Sequence, residues 1–280
     1  MTKILEGRRA SLTLDQPRIM GILNVTPDSF SDGGQFQQVD HALRRAEEMV
    51  AEGADLIDVG GESTRPGAAL VSVAEELDRI IPVIAAIHAR LDIPLSVDTN
   101  KAPVAAAALE SGADWVNDVS GLSFDASMAS VVATHGGGLF LMHTRGIPAQ
   151  MQQHTHYDDI VAEVVAELKI AIATALTAGI PARRLAIDPG IGFAKDLSGN
   201  LELLRRLDEF KVLNLPILLG TSRKSFIGKV LDHPHPADRL YGTLATVALG
   251  VAKGAMLLRV HDVRAARETA LMSWAILQQN

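Results

Sequence analysis

Eight short runs of aliphatic and β-branched residues alternate with longer segments of helical periodicity along this chain, and this alternation limits the folds open to it. In one such segment Val39, Leu43 and Ala46 fall on the same face of a helix, and Gly53 follows as a stop signal. The short runs predict strands at Ile19–Leu23, Leu56–Val59, Leu95–Val97, Trp115–Val116, Leu139–Met142, Leu185–Ile187, Ile217–Leu219 and Met256–Leu258. The longer segments predict helices at Val39–Glu52, Val73–Ala89, Pro103–Ser111, Ala126–Thr134, Ile160–Ala178, Leu201–Phe210, Arg239–Lys253 and Val263–Leu277.

Strict alternation of strands and helices predicts a parallel sheet with right-handed crossovers. Eight such units predict closure into a (β/α)₈ TIM barrel. The competing fold is an open, doubly wound sheet, which usually carries a glycine-rich turn after its first strand, whereas Asn24-Val-Thr-Pro-Asp28 follows the first strand here. The residues before Pro17 predict a short N-terminal hairpin that would plug the floor of the barrel. We therefore expect a single barrel domain over residues 1–280.

The composition fits such a barrel and argues against several classes of protein. Apolar residues make up 48% of the chain and aromatic residues only 4%, so the core must be mainly aliphatic, as in buried parallel strands. The net charge of −7 argues against a nucleic-acid partner, which would need a basic face. The absence of cysteine excludes disulfides, thiolate catalysis and cysteine-bound metals.

The sequence predicts neither a membrane span nor a secretion signal. No apolar core of signal-peptide length follows Arg8 and Arg9. The longest apolar stretch, Leu240 to Ala252, is interrupted by Gly and Thr and is too short to cross a bilayer. We expect a cytoplasmic protein without a membrane partner.

Polar residues follow almost every predicted strand. In a barrel of this kind the active site lies at the C-terminal ends of the strands, so these side chains would share one mouth. They are Asn24, Asp98, Asn117, Asp118, His143, Asp188, the segment Gly220-Thr-Ser-Arg-Lys-Ser225, Arg259 and His261. For any single Asp or Asn, capping the next helix or turn is the simpler explanation. The repetition at nearly every strand favours a functional site.

These residues divide by charge into two sets. Asp98, Asn117 and Asp188 supply hydrogen-bond acceptors, which suit a flat heterocycle that offers several N–H groups. The cationic set is Lys224, Arg259, His261 and Arg65, and barrel enzymes frequently hold a phosphate near their last two strands. The residues therefore point to an N–H-rich ring joined to a phosphate or diphosphate.

Two segments rich in Gly, Ser and Pro would hang over the mouth. They are residues 26–34 and 62–69, and loops of this composition close over substrates in many enzymes. Ordinary surface loops remain the alternative.

The motifs of the chain resemble those of the bacterial dihydropteroate synthase family. IMGILNVTPDSFSDGG at residues 19–34 is similar to the family's first signature, and DVGGESTRPG at residues 58–67 is similar to its second. The runs SVDT (96–99), NDVSG (117–121), DPGIGF (188–193), SRKS (222–225) and RVHD (259–262) also correspond. These matches follow the family's order over nearly the whole chain.

The resemblance implies a homodimeric (β/α)₈ transferase of folate biosynthesis that uses Mg²⁺. Such enzymes condense 4-aminobenzoate with (7,8-dihydropterin-6-yl)methyl diphosphate, which gives 7,8-dihydropteroate and diphosphate. The family is a target of sulfonamides. No insertion near Phe30 or Pro66 suggests a sulfonamide-resistant form.

The resemblance also implies a role for individual residues. The pterin ring would be held by Asp98, Asn117, Asp188 and Lys224, and lined by Met142, Phe193 and Gly220. The diphosphate would be held by Thr64, Arg259 and His261, and Mg²⁺ by Asn24 together with Asp32. The 4-aminobenzoate site would be shaped by Phe30, Arg65, Pro66 and Ser222.

The implied reaction agrees with the two charge sets. A departing diphosphate gathers negative charge, which Arg259 and His261 would stabilise, and the methylene left behind becomes cationic near Asp98 and Asp188. Two alternatives remain: the pterin domain of a corrinoid-linked methyltransferase, and a pterin-binding module without catalysis. The cationic residues of the last two strands favour the synthase over both.

Overall fold

The computed structural model describes residues 3–25, 35–63, 71–147 and 149–279, and within them eight parallel strands close into a barrel. The first barrel strand pairs with the second, each strand pairs with the next, and the last pairs back onto the first through Leu257 beside Arg18. The strands are β3 (Arg18–Asn24), β4 (Leu56–Gly60), β5 (Leu95–Asp98), β6 (Trp115–Asp118), β7 (Gly138–Met142), β8 (Leu185–Asp188), β9 (Ile217–Leu219) and β10 (Ala255–Val260). The predicted barrel is confirmed, and the open doubly wound sheet is excluded.

The predicted N-terminal hairpin is also confirmed. Strands β1 (Lys3–Glu6) and β2 (Ser11–Leu14) pair antiparallel. Their apolar side chains pack into the end of the barrel where the strands begin. The cluster is Leu5, Leu12 and Leu14 from the hairpin with Met20, Leu56, Trp115, Phe140, Ala186, Leu218 and Leu257 from the barrel interior. The hairpin therefore closes the floor of the barrel.

Nine α-helices lie within the described residues and surround the barrel. They are α1 (Gln35–Glu52), α2 (Val73–Arg90), α3 (Ala102–Ser111), α4 (Met128–His135), α5 (Ile160–Thr177), α6 (Leu197–Arg205), α7 (Ser225–Leu231), α8 (Leu240–Lys253) and α9 (Val263–Leu277). Apolar faces of these helices pack on the outward side chains of the strands and form the larger, aliphatic core. In the described part of the chain no helix combines the length and apolarity that a membrane span requires.

The structure differs from the predicted helices by more than two residues in three places. Helix α1 begins at Gln35 rather than at Val39. Helix α7 was not predicted; it buries Phe226 and Ile227 directly after the turn that ends β9. The helix predicted at Leu201–Phe210 begins earlier, at Leu197, because Asp196 caps it by accepting a hydrogen bond from the Gly199 N–H. It ends at Arg205, and a 3₁₀ helix follows at Leu207–Leu213.

Candidate active site

Because side chains alternate between the two faces of each strand, one layer of inward-facing residues lies at the open end of the barrel. Residues two positions apart on a strand face the same side. Each residue two positions beyond a member of the floor cluster therefore also faces inward, one layer higher. This rule selects Ile22, Asp58, Asn117, Met142, Asp188, Gly220 and Arg259. Asp98 joins them, because it lies two residues beyond Ser96, the register partner of Asp58.

Arg259 lies at the centre of this layer, between two carboxylates. Its Nε donates to Oδ2 of Asp58 at 2.6 Å, and its Nη2 donates to Oδ2 of Asp98 at 2.6 Å. The same Asp58 oxygen accepts from Nδ2 of Asn117 at 2.9 Å. Asp58 is completely buried, so it orients one residue of each predicted set, the ring-binding amide and the diphosphate-binding guanidinium.

The pKa of the Asp98 carboxyl lies close to neutral pH. Burial raises the pKa of Asp98 to about 7, against the attraction of the Arg259 guanidinium, and the carboxylates of Asp58, Glu76 and Asp118 act in the same direction as burial. A ligand that donates hydrogen bonds to such a carboxylate stabilises its charged form. This behaviour fits the acceptor role predicted for Asp98.

Asp188 ends β8 and is also buried. Its Oδ1 accepts a hydrogen bond from the Gly190 N–H at 2.7 Å. Burial raises the pKa of Asp188, while Lys224, the Gly190 N–H and Arg259 oppose that rise. A Cβ built on Gly220 would lie 3.6 Å from Oδ2 of Asp188 and 3.7 Å from Cβ of Arg259, so Gly220 leaves the space between these two residues open.

Lys224 reaches across the mouth from the turn between β9 and α7. Its ammonium donates to the carbonyl oxygen of Ile191 and lies 4.4 Å from the centre of the Phe193 ring. Burial lowers the pKa of Lys224 to about 8, although Asp188 attracts its charge. The predicted ring-binding residues Asp98, Asn117, Asp188 and Lys224, and the lining residues Met142, Phe193 and Gly220, therefore come together at one end of the barrel.

The turn that presents Lys224 is fixed from two sides. Arg223 adopts a left-handed backbone conformation with φ of 58°, which is unfavourable for a residue with a side chain. Its guanidinium forms two hydrogen bonds to Asp262 at 3.0 and 2.6 Å, and the buried Arg239 donates to the Arg223 carbonyl at 2.9 Å. These contacts offset the backbone strain and aim Lys224 at the mouth.

His261 is anchored beside this turn by Ser222. The Ser222 hydroxyl lies 2.9 Å from Nδ1 of His261 and accepts from the His261 main-chain N–H at 3.1 Å. Arg45 of α1 donates to the His261 carbonyl oxygen at 3.1 Å. The imidazole is therefore oriented by its neighbours, as a group that receives an anion needs to be.

Asn24 ends β3 and is exposed at the same end of the barrel. Its amide oxygen is a hard donor of the kind that Mg²⁺ accepts, and Mg²⁺ commonly takes only one or two protein oxygens beside water and substrate phosphates. The described residues include no cluster of three or more His, Cys, Asp or Glu side chains that would form a metal cage. Asn24 therefore fits a metal that is shared with a phosphate rather than one that the protein encloses.

Several predicted site residues lie outside the described part of the chain. They are Phe30, Asp32, Thr64, Arg65 and Pro66, and most of the two loops predicted to close over the mouth lies there too. Among the strand-end residues that are described, Asp118 follows the simpler alternative. It accepts hydrogen bonds from the N–H groups of Ser120 and Leu122 at 2.8 and 2.7 Å and so shapes its own loop.

Asp58 was missed by the sequence interpretation, because only the ends of strands were examined. The signal was present: a carboxylate stands in the middle of the apolar strand LIDVG, on the face that Leu56 and Gly60 also occupy. A charged residue at an inward position of a buried strand calls for a partner inside the barrel. A second omission, Lys195, follows Phe193 in a loop, and nothing in the local sequence marks it as buried.

Comparison with known proteins agrees with this arrangement. A family model described as pterin binding enzyme matches residues 20–261. The dihydropteroate synthase of Synechocystis sp. is 50% identical over 247 residues, which are 88% of this chain and 86% of that protein. The structure of Xanthomonas albilineans dihydropteroate synthase with 4-aminobenzoic acid has a TM-score of 0.94 at 44% identity and covers 100% of both chains. A second structure of that protein, in complex with 7,8-dihydropteroate, has a TM-score of 0.90 at 42% identity and covers 99% of this chain and 100% of that one.

Proposed function

The chain belongs to the dihydropteroate synthases, which are pterin-binding transferases of folate biosynthesis, and we propose how its residues perform the reaction. It condenses 4-aminobenzoate with (7,8-dihydropterin-6-yl)methyl diphosphate to give 7,8-dihydropteroate and diphosphate. The relatives named above favour this reaction over that of a corrinoid-linked methyltransferase domain.

The pterin ring binds in the half of the mouth that Asp98, Asn117 and Asp188 line. The ring offers N–H groups at its edge, and buried carboxylates bind such donors strongly. Lys224 approaches from the turn between β9 and α7, and Met142 and Phe193 provide apolar contact with the ring faces. The support for this assignment is that Asp98, Asn117, Asp188 and Met142 share one layer of the barrel, and that Lys224 and Phe193 lie in turns at the same end.

The diphosphate binds in the half that Arg259 and His261 form. Before the substrate arrives, the Arg259 guanidinium is neutralised by Asp58 and Asp98. Ring binding to Asp98 loosens one of these contacts and frees Arg259 Nη2 for a phosphate oxygen. Thr64 completes this half, and Asn24, with Asp32, would hold Mg²⁺. The metal would add positive charge beside the diphosphate.

The substitution follows a dissociative order. The C–O bond to the diphosphate breaks first, and its electron pair leaves with the diphosphate, whose charge Arg259 and His261 stabilise. The methylene carbon becomes cationic; the electron-rich ring delocalises this charge, and the carboxylates of Asp98 and Asp188 favour it. The amino nitrogen of 4-aminobenzoate then forms the C–N bond and releases a proton to water. No strong base is needed, because the cation is a powerful electrophile.

The 4-aminobenzoate site would include Ser222 at the mouth. The family resemblance assigns Phe30, Arg65 and Pro66, which lie outside the described residues, to the same site. Sulfonamides, which resemble 4-aminobenzoate, would compete for this site.

The observation that carries the proposal is the hydrogen-bonded set of Asp58, Asp98, Asn117 and Arg259, which joins a ring-binding half to an anion-binding half. The test incubates the protein with both substrates and Mg²⁺ and measures dihydropteroate by chromatography and diphosphate by a coupled pyrophosphatase assay. We expect equal amounts of both products. No dihydropteroate, or diphosphate released without it, would contradict the proposed reaction.

We also propose that the protein is a homodimer. Helix α8 exposes an apolar stripe of Tyr241, Ala245 and Leu249 that carries no charge, and the neighbouring α9 exposes Met272 and Ile276. Tyr241 is 82% exposed, and an exposed apolar patch of this extent is typical of an interface. A two-fold axis through this surface would cover it on both copies at once.

A further inference from the structure

A buried lysine lies beneath the ring-binding half of the site, and the reaction described above makes no use of it. Lys195 is 2% exposed and ends the loop of residues 189–195, which joins β8 to α6. Lysine is almost never buried to this degree without a specific role, because its ammonium loses its hydration.

The loop above Lys195 is held tightly against the end of β7. Gly190 adopts a φ of +72°, and a Cβ there would lie only 1.8 Å from the carbonyl oxygen of His143, so no other residue fits. From the α6 side, the buried Asn200 accepts from the Gly192 N–H at 2.5 Å and donates to the carbonyl oxygen of Lys195 at 3.2 Å. The loop therefore presents Phe193 and the Ile191 carbonyl to Lys224 in a fixed position.

The Lys195 ammonium joins the same loop to β7 from its buried side. It donates to the Phe193 carbonyl oxygen at 2.8 Å and lies 3.0 Å from Nδ1 of His143. An ammonium can only donate, so Nδ1 accepts, and the proton of the neutral imidazole sits on Nε2. Nε2 donates to Glu167 of α5 at 2.9 Å, and Nε of Arg145 binds the other oxygen of Glu167 at 3.0 Å.

Lys195 is one of three cations that act on the buried Asp188. The other two are Lys224 and Arg259. Arg259 is already engaged by Asp58 and Asp98, which leaves Lys224 and Lys195 to balance Asp188.

The burial of Lys195 changes the pKa of its ammonium. Burial lowers the pKa of Lys195 to about 7; Asp188 and Glu167 oppose that change, while Lys224 and Arg145 add to it. His143 stays neutral near pH 7, because burial and Lys195 lower its pKa to about 4. In return Lys195 is one of the cations that oppose the raised pKa of Asp188.

We propose that Lys195 is a positioning residue for pterin recognition: its ammonium pins the 189–195 loop to β7 and keeps Asp188 ionised when the ring closes over it. This inference rests on the proposed role of Asp188 in binding the ring. It adds that a group without contact to the substrate makes ring affinity depend on pH.

The test compares the affinity of wild type and Lys195→Met for (7,8-dihydropterin-6-yl)methyl diphosphate from pH 6 to pH 9, by isothermal titration calorimetry. We expect weaker binding by the variant at pH 6, by about tenfold, because the charged Lys195 of wild type opposes protonation of Asp188 at that pH. The difference should shrink to less than about twofold at pH 9, where wild-type Lys195 is itself neutral. Taking the ratio at each pH cancels the titration of the ligand and of Asp98.

Two further variants make the outcome decisive. Glu167→Gln keeps an oxygen for His143 but removes a charge that supports protonated Lys195. Its affinity should therefore fall below that of wild type only in the pH range where Lys195 is neutral in the variant and still charged in wild type. Lys169→Met removes an exposed lysine from the same helix and should match wild type at every pH. If Lys195→Met does not fold, Glu167→Gln alone still tests the proposal.

The inference is overturned if Lys195→Met weakens binding by one constant factor at all pH values, which would indicate a purely structural role. It is also overturned if Lys195→Met or Glu167→Gln has the pH profile of wild type. The variant Asp188→Asn tests separately whether Asp188 binds the pterin ring, which the role of Lys195 presupposes. If Asp188→Asn binds the pterin as wild type does, the role of Asp188 is wrong and the role of Lys195 falls with it.

Discussion

Removing Asp58 should destabilise the protein more than removing any surface acid. Asp58 is completely buried, and its Oδ2 accepts from both Arg259 and Asn117. Asp58→Ala leaves the half-buried guanidinium hydrogen-bonded to Asp98 alone among the described carboxylates, and it leaves the Asn117 amide without this acceptor. Breaking a buried ion pair lowers the free energy of unfolding by about 3–5 kcal/mol. Because Asp98 remains as a partner of Arg259, we expect a loss of about 3 kcal/mol.

The isosteric variant separates charge from contact. In Asp58→Asn the amide oxygen can occupy the position of Oδ2 and keep both hydrogen bonds, but without their negative charge. Charge-assisted hydrogen bonds are worth about 1.5–3 kcal/mol and neutral ones about 1 kcal/mol, so this variant should lose about 1–2 kcal/mol.

Urea denaturation measures both losses without the screening that guanidinium chloride would introduce. Asp208→Ala is the matched control: Asp208 pairs with Lys253 at 2.8 Å on the surface, and its loss should cost less than about 1 kcal/mol. An Asp58→Ala protein as stable as this control would refute the role that we give Asp58 in holding Arg259.

Three further predictions follow from the structure. The pKa of His143 is lowered from 6.5 to about 4 by burial and by Lys195, so stability is lost as the pH falls through that range. Between pH 7 and pH 5 the free energy of unfolding should fall about 2 kcal/mol further in wild type than in His143→Gln, measured by urea titration; equal slopes would contradict the shift. Gly190→Ala should weaken pterin binding severely, whereas Gly179→Ala, which also has a positive φ but meets no atom within 4 Å, should change stability alone; equal affinities in a binding titration would exclude the close approach at His143. Leu249→Glu should convert the proposed dimer to monomers in sedimentation velocity, and an unchanged sedimentation coefficient would contradict the proposed interface.

Much of the barrel could be predicted from the sequence, because each buried parallel strand leaves a short apolar run. The predicted strands stop short of the real ones where polar site residues continue the backbone pairing. Asp98 and Asp188 are the last residues of β5 and β8, although the apolar pattern ends one residue earlier. Strand ends depend on main-chain hydrogen bonds, which the hydrophobic pattern does not record.

The site could be predicted only as far as strand ends could be recognised. Asp98, Asn117, Asp188 and Arg259 were found because they stand at or near such ends. Lys195 was not found, because its burial depends on how the 189–195 loop folds back onto β7. That path is set by Gly190 and by contacts distant in sequence, which no local pattern shows.

The division of the mouth into a ring-binding half and a diphosphate-binding half is tested most directly by two ligands and two variants. Arg259 contacts Asp98 and so belongs to both halves; Asp188 and His261 are the cleaner pair. Calorimetry would measure the binding of 6-hydroxymethyl-7,8-dihydropterin, which lacks the diphosphate, and of inorganic diphosphate with Mg²⁺. Asp188→Asn should weaken the pterin at least about tenfold, the value of one charge-assisted hydrogen bond, and leave diphosphate within about twofold. His261→Gln should do the reverse, and an equal loss of both ligands in both variants would contradict the division.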